Sequence, residues 1–157
     1  MSDDVRIESW LEDFVGKLLE HAGFDLWVEE LAIGSDENEL RLELGGPDAA
    51  RAIGRDGQML DALQYLVTAA AAHAGMSGRR ILLDIEGYRK RREDRVREQA
   101  ERAATEALER GEPFDLEPMS PRERRLVHLT VAGIEGIVTE SHGEGDERYV
   151  RLLPKSK

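Results

Sequence analysis

The 157-residue chain contains no cysteine, so disulfides and thiolate metal sites are excluded. It has no apolar run of about 18 residues, so a membrane-spanning helix is not expected. Its first ten residues are acidic and lack the apolar core of a secretion signal. The histidines have no metal-ligand spacing; they are His21, His73, His128 and His142. Together these absences predict a cytoplasmic protein without a metal, another cofactor or a membrane partner.

Aromatic residues make up only 5% of the chain, and acidic residues outnumber basic ones to give a net charge of −11. That charge alone argues against nucleic acid, because phosphates bind cations. The imbalance lies in residues 1–50, which hold 14 acidic and 3 basic side chains, whereas residues 51–157 hold 19 of each. A basic run, GYRKRREDRVR, follows at residues 87–97. It is a solvated helix face with many ion pairs, a surface that tracks phosphates, or both on different faces of one helix.

The apolar pattern predicts an α+β protein built from two series of elements. Residues 1–86 are expected to form a helix, two paired strands, a short helix, a glycine turn, a longer helix and a strand. Ser9 is the predicted N-cap of the first helix. The longer helix is predicted from about Gln58 to His73. Its apolar side is expected to consist of Leu60, Leu63, Leu66, Val67 and Ala70.

Residues 87–157 are expected to form a long charged helix, a short strand, a second helix and two closing strands. Ser120, Pro121 and Glu123 predict the start of the second helix, because they combine a capping box with proline at the first helical position. Arg124 and His128 lie four residues apart on that helix, so they share a face and are able to bind one acceptor together. The alternative is an ordinary solvated helix face.

Gly54 and Gly57 flank Arg55 and Asp56 in the stretch IGRDGQ, directly before the longer helix. Glycine permits positive φ and a close approach of a ligand to the backbone. A helix N-terminus also presents unpaired N–H groups that favour phosphate. The residues that define a P-loop or a dinucleotide fingerprint are missing. The stretch is therefore either a structural turn or the Gly-x-x-Gly loop of a KH module.

The stretch IGRDGQMLDALQYLV resembles the KH domain of the bacterial Jag/KhpB family, the SpoIIIJ-associated RNA-binding proteins. Members of that family join a KH domain to a second domain named for its Arg-x-x-x-His motif, here called the RxxxH domain. The segments PFDLEPMSPRERRLVHLTV and VTESHGEGDERYVRLLP are similar to that second domain. The resemblance implies a type II KH domain over residues 1–86 and an RxxxH domain over residues 87–157, joined through the long charged helix. Many members carry an extra N-terminal domain, which we expect this chain to lack.

The resemblance also implies which residues form the sites. The nucleic-acid loop would consist of Gly54, Arg55, Asp56, Gly57 and Gln58. Its glycines would admit the nucleic-acid backbone and its arginine would contact a phosphate. Asp56 would either weaken binding by repulsion or support the helix as an N-cap or turn residue. The RxxxH domain would contact phosphate through Arg124 and His128, with Arg125 as an electrostatic neighbour.

Three classes of function follow from these features. The first is a noncatalytic regulator that binds single-stranded RNA, or single-stranded DNA, through both domains; the resemblance adds a role in cell elongation or division and a small KH-only partner or a second copy. The second is an interaction or scaffolding module whose acidic first third docks a basic partner. An enzyme is disfavoured, because His128 has no Ser or Cys nucleophile near it in sequence.

Overall fold

The computed structural model describes residues 3–155. The chain forms two compact units, Met1–Arg89 and Lys90–Lys157. The first unit contains α1 (Asp3–His21), β1 (Trp27–Ile33), β2 (Glu39–Gly45), α2 (Ala49–Ile53), α3 (Gln58–His73) and β3 (Arg80–Ile85). Helix α4 (Tyr88–Arg110) is followed by β4 (Phe114–Asp115), α5 (Pro121–Ala132), β5 (Ile137–His142) and β6 (Tyr149–Pro154). Single 3-10 turns cover Arg55–Gly57 and Gly145–Glu147. The predicted α+β class and both predicted element orders are confirmed.

The sheet of the first unit has the order β1-β2-β3. Strand β2 pairs antiparallel with β1 and parallel with β3. It alternates cleanly, so that Leu40, Leu42 and Leu44 are buried. These leucines pack against the buried sides of α1 and α3, and this cluster is the core of the first unit.

Strand β1 departs from simple alternation. Val28 pairs with Leu44 and Leu31 pairs with Leu42, although Val28 and Leu31 are three residues apart. A register shift between Val28 and Glu30 explains this, because a bulge inserts one extra residue into the strand. Both apolar side chains therefore pack against the core, although apolar and polar residues do not alternate strictly along β1.

Helix α1 begins six residues before the predicted cap. Ser9 lies inside the helix, which starts at Asp3, so the prediction of Ser9 as N-cap was wrong. Ile7 packs against the same core as the later residues of the helix. The apolar periodicity thus extends upstream of Ser9, and packing of that face overrides the capping signal.

The second unit pairs a small-residue helix with a three-stranded antiparallel sheet. The sheet has the order β4-β6-β5. The residues of α4 that are buried in the core of this unit are Val96, Ala100, Ala103, Ala104 and Ala107. Val127 and Val131 of α5 complete this core together with Val150 and Leu152 of β6.

Helix α5 starts as the sequence predicts. The Ser120 hydroxyl accepts from the Glu123 backbone N–H at 3.3 Å, and the Glu123 carboxylate accepts from the Ser120 N–H at 2.9 Å. The same carboxylate accepts from Nε of Arg92 on α4 at 2.7 Å, with both side chains largely buried. Burial raises the pKa of Glu123, but the Arg92 and Ser120 hydrogen bonds outweigh it and hold that pKa below its ordinary value. Glu123 therefore both starts α5 and ties it to α4.

No helix among residues 3–155 is long and apolar enough to cross a membrane.

Replacing Glu123 should separate its two roles. Glu123→Gln keeps a capping side chain but loses the charged partner of Arg92, which should lower the free energy of unfolding by about 1.5–3 kcal/mol. Glu123→Ala also loses the cap and should cost about 1 kcal/mol more. Urea unfolding of both variants measures the difference. Equal costs for the two variants would show that the capping box contributes nothing to stability.

Candidate functional site

The segment between α2 and α3 is a turn built from left-handed residues, and we call residues 54–57 the glycine turn. Gly54 has φ 73° and Gly57 has φ 80°. Asp56 is left-handed as well, with φ 52° and ψ 27°, a conformation that Asp tolerates better than most residues. These dihedral angles end α2 and begin α3 within a few residues.

The two glycines are required by contacts inside the first unit. A β-carbon at Gly54 would lie 2.8 Å from Cβ of Met59, and one at Gly57 would lie 2.8 Å from Cε1 of the Tyr88 ring. Gly57 is buried beneath Tyr88, the first residue of α4. The missing side chains thus make room for the protein's own atoms. Their predicted role in admitting a nucleic-acid backbone stays a prediction.

The glycine turn presents a cation and a helix N-terminus to solvent. Arg55 and Gln58 are exposed, and within residues 3–155 Arg55 forms no ion pair. Gly57 occupies the N-cap position of α3 and has no side chain of its own to cap the helix. The first N–H groups and the partial positive charge of a helix N-terminus suit an anion. Asp56 lies in the turn and not at the N-cap position, which is the turn alternative predicted for it, and it is exposed beside this surface.

Exposed apolar side chains continue along α3 from the glycine turn. Met59 is 41% exposed, Leu66 is 47% exposed and Tyr65 is 73% exposed. Leu66 was predicted on the buried side, but the buried stripe runs through Leu60, Leu63, Val67 and Ala71. Leu66 lies outside the narrow arc that this spacing defines. This surface was not predicted from the sequence, because Leu66 was assigned to the buried side and Met59 and Tyr65 were assigned to neither side.

In the second unit, α5 places Arg124 and His128 on one side, but they have separate partners. Nη1 of Arg124 donates to the Met119 carbonyl at 3.1 Å. Nδ1 of His128 lies 2.6 Å from the Thr139 hydroxyl and its Nε2 lies 3.0 Å from the Ser141 hydroxyl. The prediction that both side chains bind one shared acceptor concerns a ligand and stays a prediction. We call Arg124, His128, Thr139 and Ser141 the α5–β5 site.

His128 fastens α5 to β5. Thr139 and Ser141 are alternate residues of the strand, so their hydroxyls point to the same face and meet the two ring nitrogens. In a neutral imidazole one nitrogen donates and the other accepts, and hydroxyls suit both roles. Neither hydroxyl was predicted from the sequence as a partner of His128. Both ring nitrogens therefore have partners within the second unit.

The surroundings of His128 favour its neutral form. Burial lowers the pKa of the half-buried ring, and the nearby Arg124 guanidinium lowers it further. A neutral ring satisfies two hydroxyls without adding a second buried charge next to Arg124. The positive charge of the α5–β5 site therefore comes from arginine.

Arg124 and Arg125 differ from most cations around them. Neither forms an ion pair within residues 3–155. In contrast, Arg122 pairs with Glu93 at 2.5 Å and Arg97 pairs with Asp94 at 3.3 Å. The basic run of residues 87–97 is held in the same way, through Arg89–Asp61, Lys90–Asp94, Arg92–Glu123 and Arg97–Asp94. At these positions the basic run forms ion pairs, as expected for a solvated helix face.

No group of three or more His, Asp or Glu side chains that is able to hold a metal ion occurs in the described part of the chain.

Two families match the chain in succession. Residues 8–82 match the KH domain of KhpA/KhpB, and residues 94–154 match the RxxxH domain, the family named for its Arg-x-x-x-His motif. The glycine turn lies inside the first match, and Arg124 and His128 lie inside the second. Each candidate site therefore belongs to its own domain.

Several curated proteins are similar over most of this chain. RNA-binding protein KhpB from Clostridium symbiosum is 37% identical over 119 residues, which are 76% of this chain and 54% of that protein. The protein of the same name from Bacillus subtilis is 30% identical over 128 residues, or 80% of this chain and 62% of that protein. The one from Streptococcus pneumoniae is 27% identical over 123 residues, 77% of this chain and 38% of that protein. The chain thus spans only part of the length of these relatives.

Adding a methyl group at Gly57 should test the contact with Tyr88. Gly57→Ala must place a β-carbon in a left-handed conformation and against the Tyr88 ring. Gly75→Ala is the matched control, because Gly75 has φ 88° but open space where its β-carbon would lie. The control should cost about 1–2 kcal/mol of unfolding free energy, and Gly57→Ala should cost clearly more in urea unfolding. Equal costs would contradict a tight contact between residue 57 and the Tyr88 ring. In a Tyr88→Ala background, the difference between the cost of Gly57→Ala and the cost of Gly75→Ala should become smaller.

The lowered pKa of His128 predicts a pH dependence of stability. A histidine whose folded-state pKa lies below the ordinary value of 6.5 contributes stability above that pH, and loses it as the pH falls through the folded-state pKa. Wild type should therefore lose more unfolding free energy than His128→Gln between about pH 7 and pH 5. His21→Gln, which removes an exposed histidine, is the control and should follow wild type. Urea midpoints for wild type and His128→Gln that stay parallel across this range would refute the assignment.

Proposed function

The chain belongs to the KhpB/Jag family, and we propose that it binds single-stranded RNA through the glycine turn and the α5–β5 site. The observation that carries this proposal is the presence, in both the KH domain and the RxxxH domain, of surface arginines that lack carboxylate partners. Relatives over most of the chain are named RNA-binding proteins. We assign residues 1–86 to the KH domain and residues 87–157 to the RxxxH domain.

In the KH domain, the proposed contacts follow from the shape of the glycine turn. Gly54 and Gly57 hold the turn at positive φ, and the exposed Arg55 lies in this turn, directly before the N-terminus of α3. An RNA phosphate there meets a guanidinium and backbone N–H groups together. Gln58 adds a polar side chain at the helix entrance, and the Asp56 carboxylate limits the affinity.

In the RxxxH domain, arginine carries the charge and histidine sets the geometry. The Arg124 guanidinium is anchored by the Met119 carbonyl through one nitrogen, which leaves its other donors for a phosphate. Arg125 is exposed next to it and strengthens the positive potential. His128 is a positioning residue in this scheme, because it holds β5 against α5 through Thr139 and Ser141.

Two weak sites on one chain are sufficient for useful affinity. Once one domain holds a strand, the second contact becomes intramolecular and raises avidity by about 10²–10⁴ when both domains reach the same strand. Single strands are favoured, because their bases and backbone are accessible from several sides. With 5% aromatic residues the chain has few stacking platforms. Backbone contacts should therefore dominate, and the targets should be broad, including single-stranded DNA.

We further propose a noncatalytic cytoplasmic role in post-transcriptional regulation, with a small KH-only protein or a second copy as partner. The exposed Met59, Tyr65 and Leu66 of α3 support a partner, because clustered apolar side chains on a helix surface mark interaction sites. The link to cell elongation or division rests on the family resemblance alone.

A second candidate function uses the acidic face of the first sheet. Glu30, Glu43 and Asp84 are aligned across the three strands, on the face opposite the leucine core. Burial raises the pKa of Glu43, the Gly87 N–H lowers it, and the nearby Asp84 and Glu29 raise it further. Such a face suits a basic protein. Binding of that kind would survive the loss of Arg55 and Arg124, which separates it from the RNA proposal.

Matched arginine variants test the RNA proposal. Arg55→Gln and Arg124→Gln should each weaken binding of a labelled single-stranded RNA about tenfold, the lower range for a charge-assisted hydrogen bond. Arg6→Gln and Arg102→Gln remove one exposed arginine from each unit outside the sites and should change affinity by about twofold or less at physiological salt. Fluorescence anisotropy measures all four, with duplex RNA and single-stranded DNA as competitors.

Unfolding curves of each variant confirm that the folded fraction is unchanged. Equal losses in all four variants would indicate nonspecific charge attraction. Full binding by the Arg55→Gln, Arg124→Gln double variant would exclude the proposed sites.

A further inference from the structure

Arg148 lies at the hairpin end of the α5–β5 site. It directly precedes β6 and has extended backbone angles, φ −76° and ψ 130°. Side chains alternate along an extended strand, so Arg148 is on the same face as Val150 and Leu152, which are buried. That face carries the core of the second unit. Arg148 therefore lies where this apolar core ends.

Backbone hydrogen bonds connect Arg148 to Arg124. The Met119 N–H donates to the Arg148 carbonyl at 3.1 Å. The Met119 carbonyl in turn accepts from Nη1 of Arg124 at 3.1 Å. The Met119 backbone thus forms hydrogen bonds with both arginines, so Arg124 and Arg148 lie near each other in the second unit.

The charge of Arg148 has no partner within residues 3–155. Its Nε is enclosed and makes no hydrogen bond, and no carboxylate lies within ion-pair distance of its guanidinium. Arg151 on the opposite face of β6 is the contrast, because Asp115 binds its Nε at 2.6 Å and its Nη2 at 2.7 Å. The terminal nitrogens of Arg148 are not enclosed as Nε is. The Arg148 side chain is therefore half-buried, with Nε enclosed and the terminal nitrogens accessible to an anion.

The hairpin before β6 is shaped to allow this placement. A β-carbon at Gly143 would lie 2.9 Å from the Glu147 carbonyl oxygen and 3.3 Å from Cα of Arg148. With φ 86°, Gly143 closes the hairpin directly against Arg148. The acidic residues of the hairpin, Glu144, Asp146 and Glu147, are exposed and form no ion pair with it.

We propose that Arg148 is a further phosphate-binding residue, which together with Arg124 holds the phosphodiester backbone of single-stranded RNA. The inference rests on the RNA-binding function proposed above and extends its RxxxH site from α5 to the β5–β6 hairpin. Guanidinium groups bind phosphate oxygens bidentately. Packing has already fixed much of the Arg148 side chain, so little further ordering opposes binding. Two unpaired arginines give the site the charge that neutral His128 does not supply.

The salt dependence of RNA binding tests this role. Arg148→Gln should reduce the slope of log affinity against log salt by about 0.7, the value for one phosphate contact on a single strand. Arg148→Lys keeps the charge and should retain the slope while binding more weakly than wild type, because it loses the bidentate geometry. Arg102→Gln carries the same charge change from an exposed position on α4 and should leave the slope unchanged. Amide NMR spectra of each variant show whether the fold is retained.

The Nε–Hε resonance of Arg148 gives a second readout that does not depend on variants. In ¹⁵N-arginine-labelled wild type it should shift on titration with a short single-stranded RNA, and also with inorganic pyrophosphate. A shift with pyrophosphate but no RNA binding would support the anion site and reject the RNA function. The inference would be overturned, but the RNA-binding function kept, by the following combination of results. RNA binding is lost in Arg124→Gln, RNA does not shift the Arg148 resonance, and Arg148→Gln has the same salt slope as wild type. No shift with either probe would overturn the inference as well.

Discussion

Pairing between arginine and carboxylate determines which positive charges of this acidic protein remain available to an anion. Acidic residues exceed basic ones by eleven, and many cations of the second unit lie against an acid, among them Arg92, Arg97, Arg122 and Arg151. Arg55 at the glycine turn and Arg124 on α5 are exceptions within the described residues. Phosphate binding requires unpaired cations. Net charge alone therefore misleads, because the relevant property is whether an individual cation is already held in an ion pair.

Local signals in the sequence are sufficient to predict most of the fold. The leucine alternation of β2 and the Ser120–Glu123 capping box each involve residues within a few positions of one another, and the structure contains both. Errors arise where tertiary packing overrides a local pattern. Ser9 has the sequence of a cap but lies inside α1, because Ile7 extends the buried face. Leu66 is apolar but lies outside the buried arc of α3.

Less of the candidate sites than of the fold is predictable from the sequence. The Gly-x-x-Gly pattern and the Arg-x-x-x-His spacing locate both sites, but the contacts that define them come from distant residues. Tyr88 covers Gly57 from 31 positions along the chain, and Thr139 and Ser141 reach His128 from β5. No periodicity encodes such contacts, since they depend on how the elements pack. The same packing gives both ring nitrogens of His128 hydroxyl partners, whereas its predicted contact with phosphate stays a prediction.

The central claim is that RNA contacts the glycine turn and the α5–β5 site. Its most direct test is an amide and side-chain NMR titration of the ¹⁵N-labelled chain with a single-stranded RNA of about ten nucleotides, longer than the four that a KH loop clamps. Shifts should concentrate at residues 54–59 and at residues 119–128, with little change on the acidic strands β1 and β2. Shifts confined to residues 25–48, with both sites silent, would contradict it.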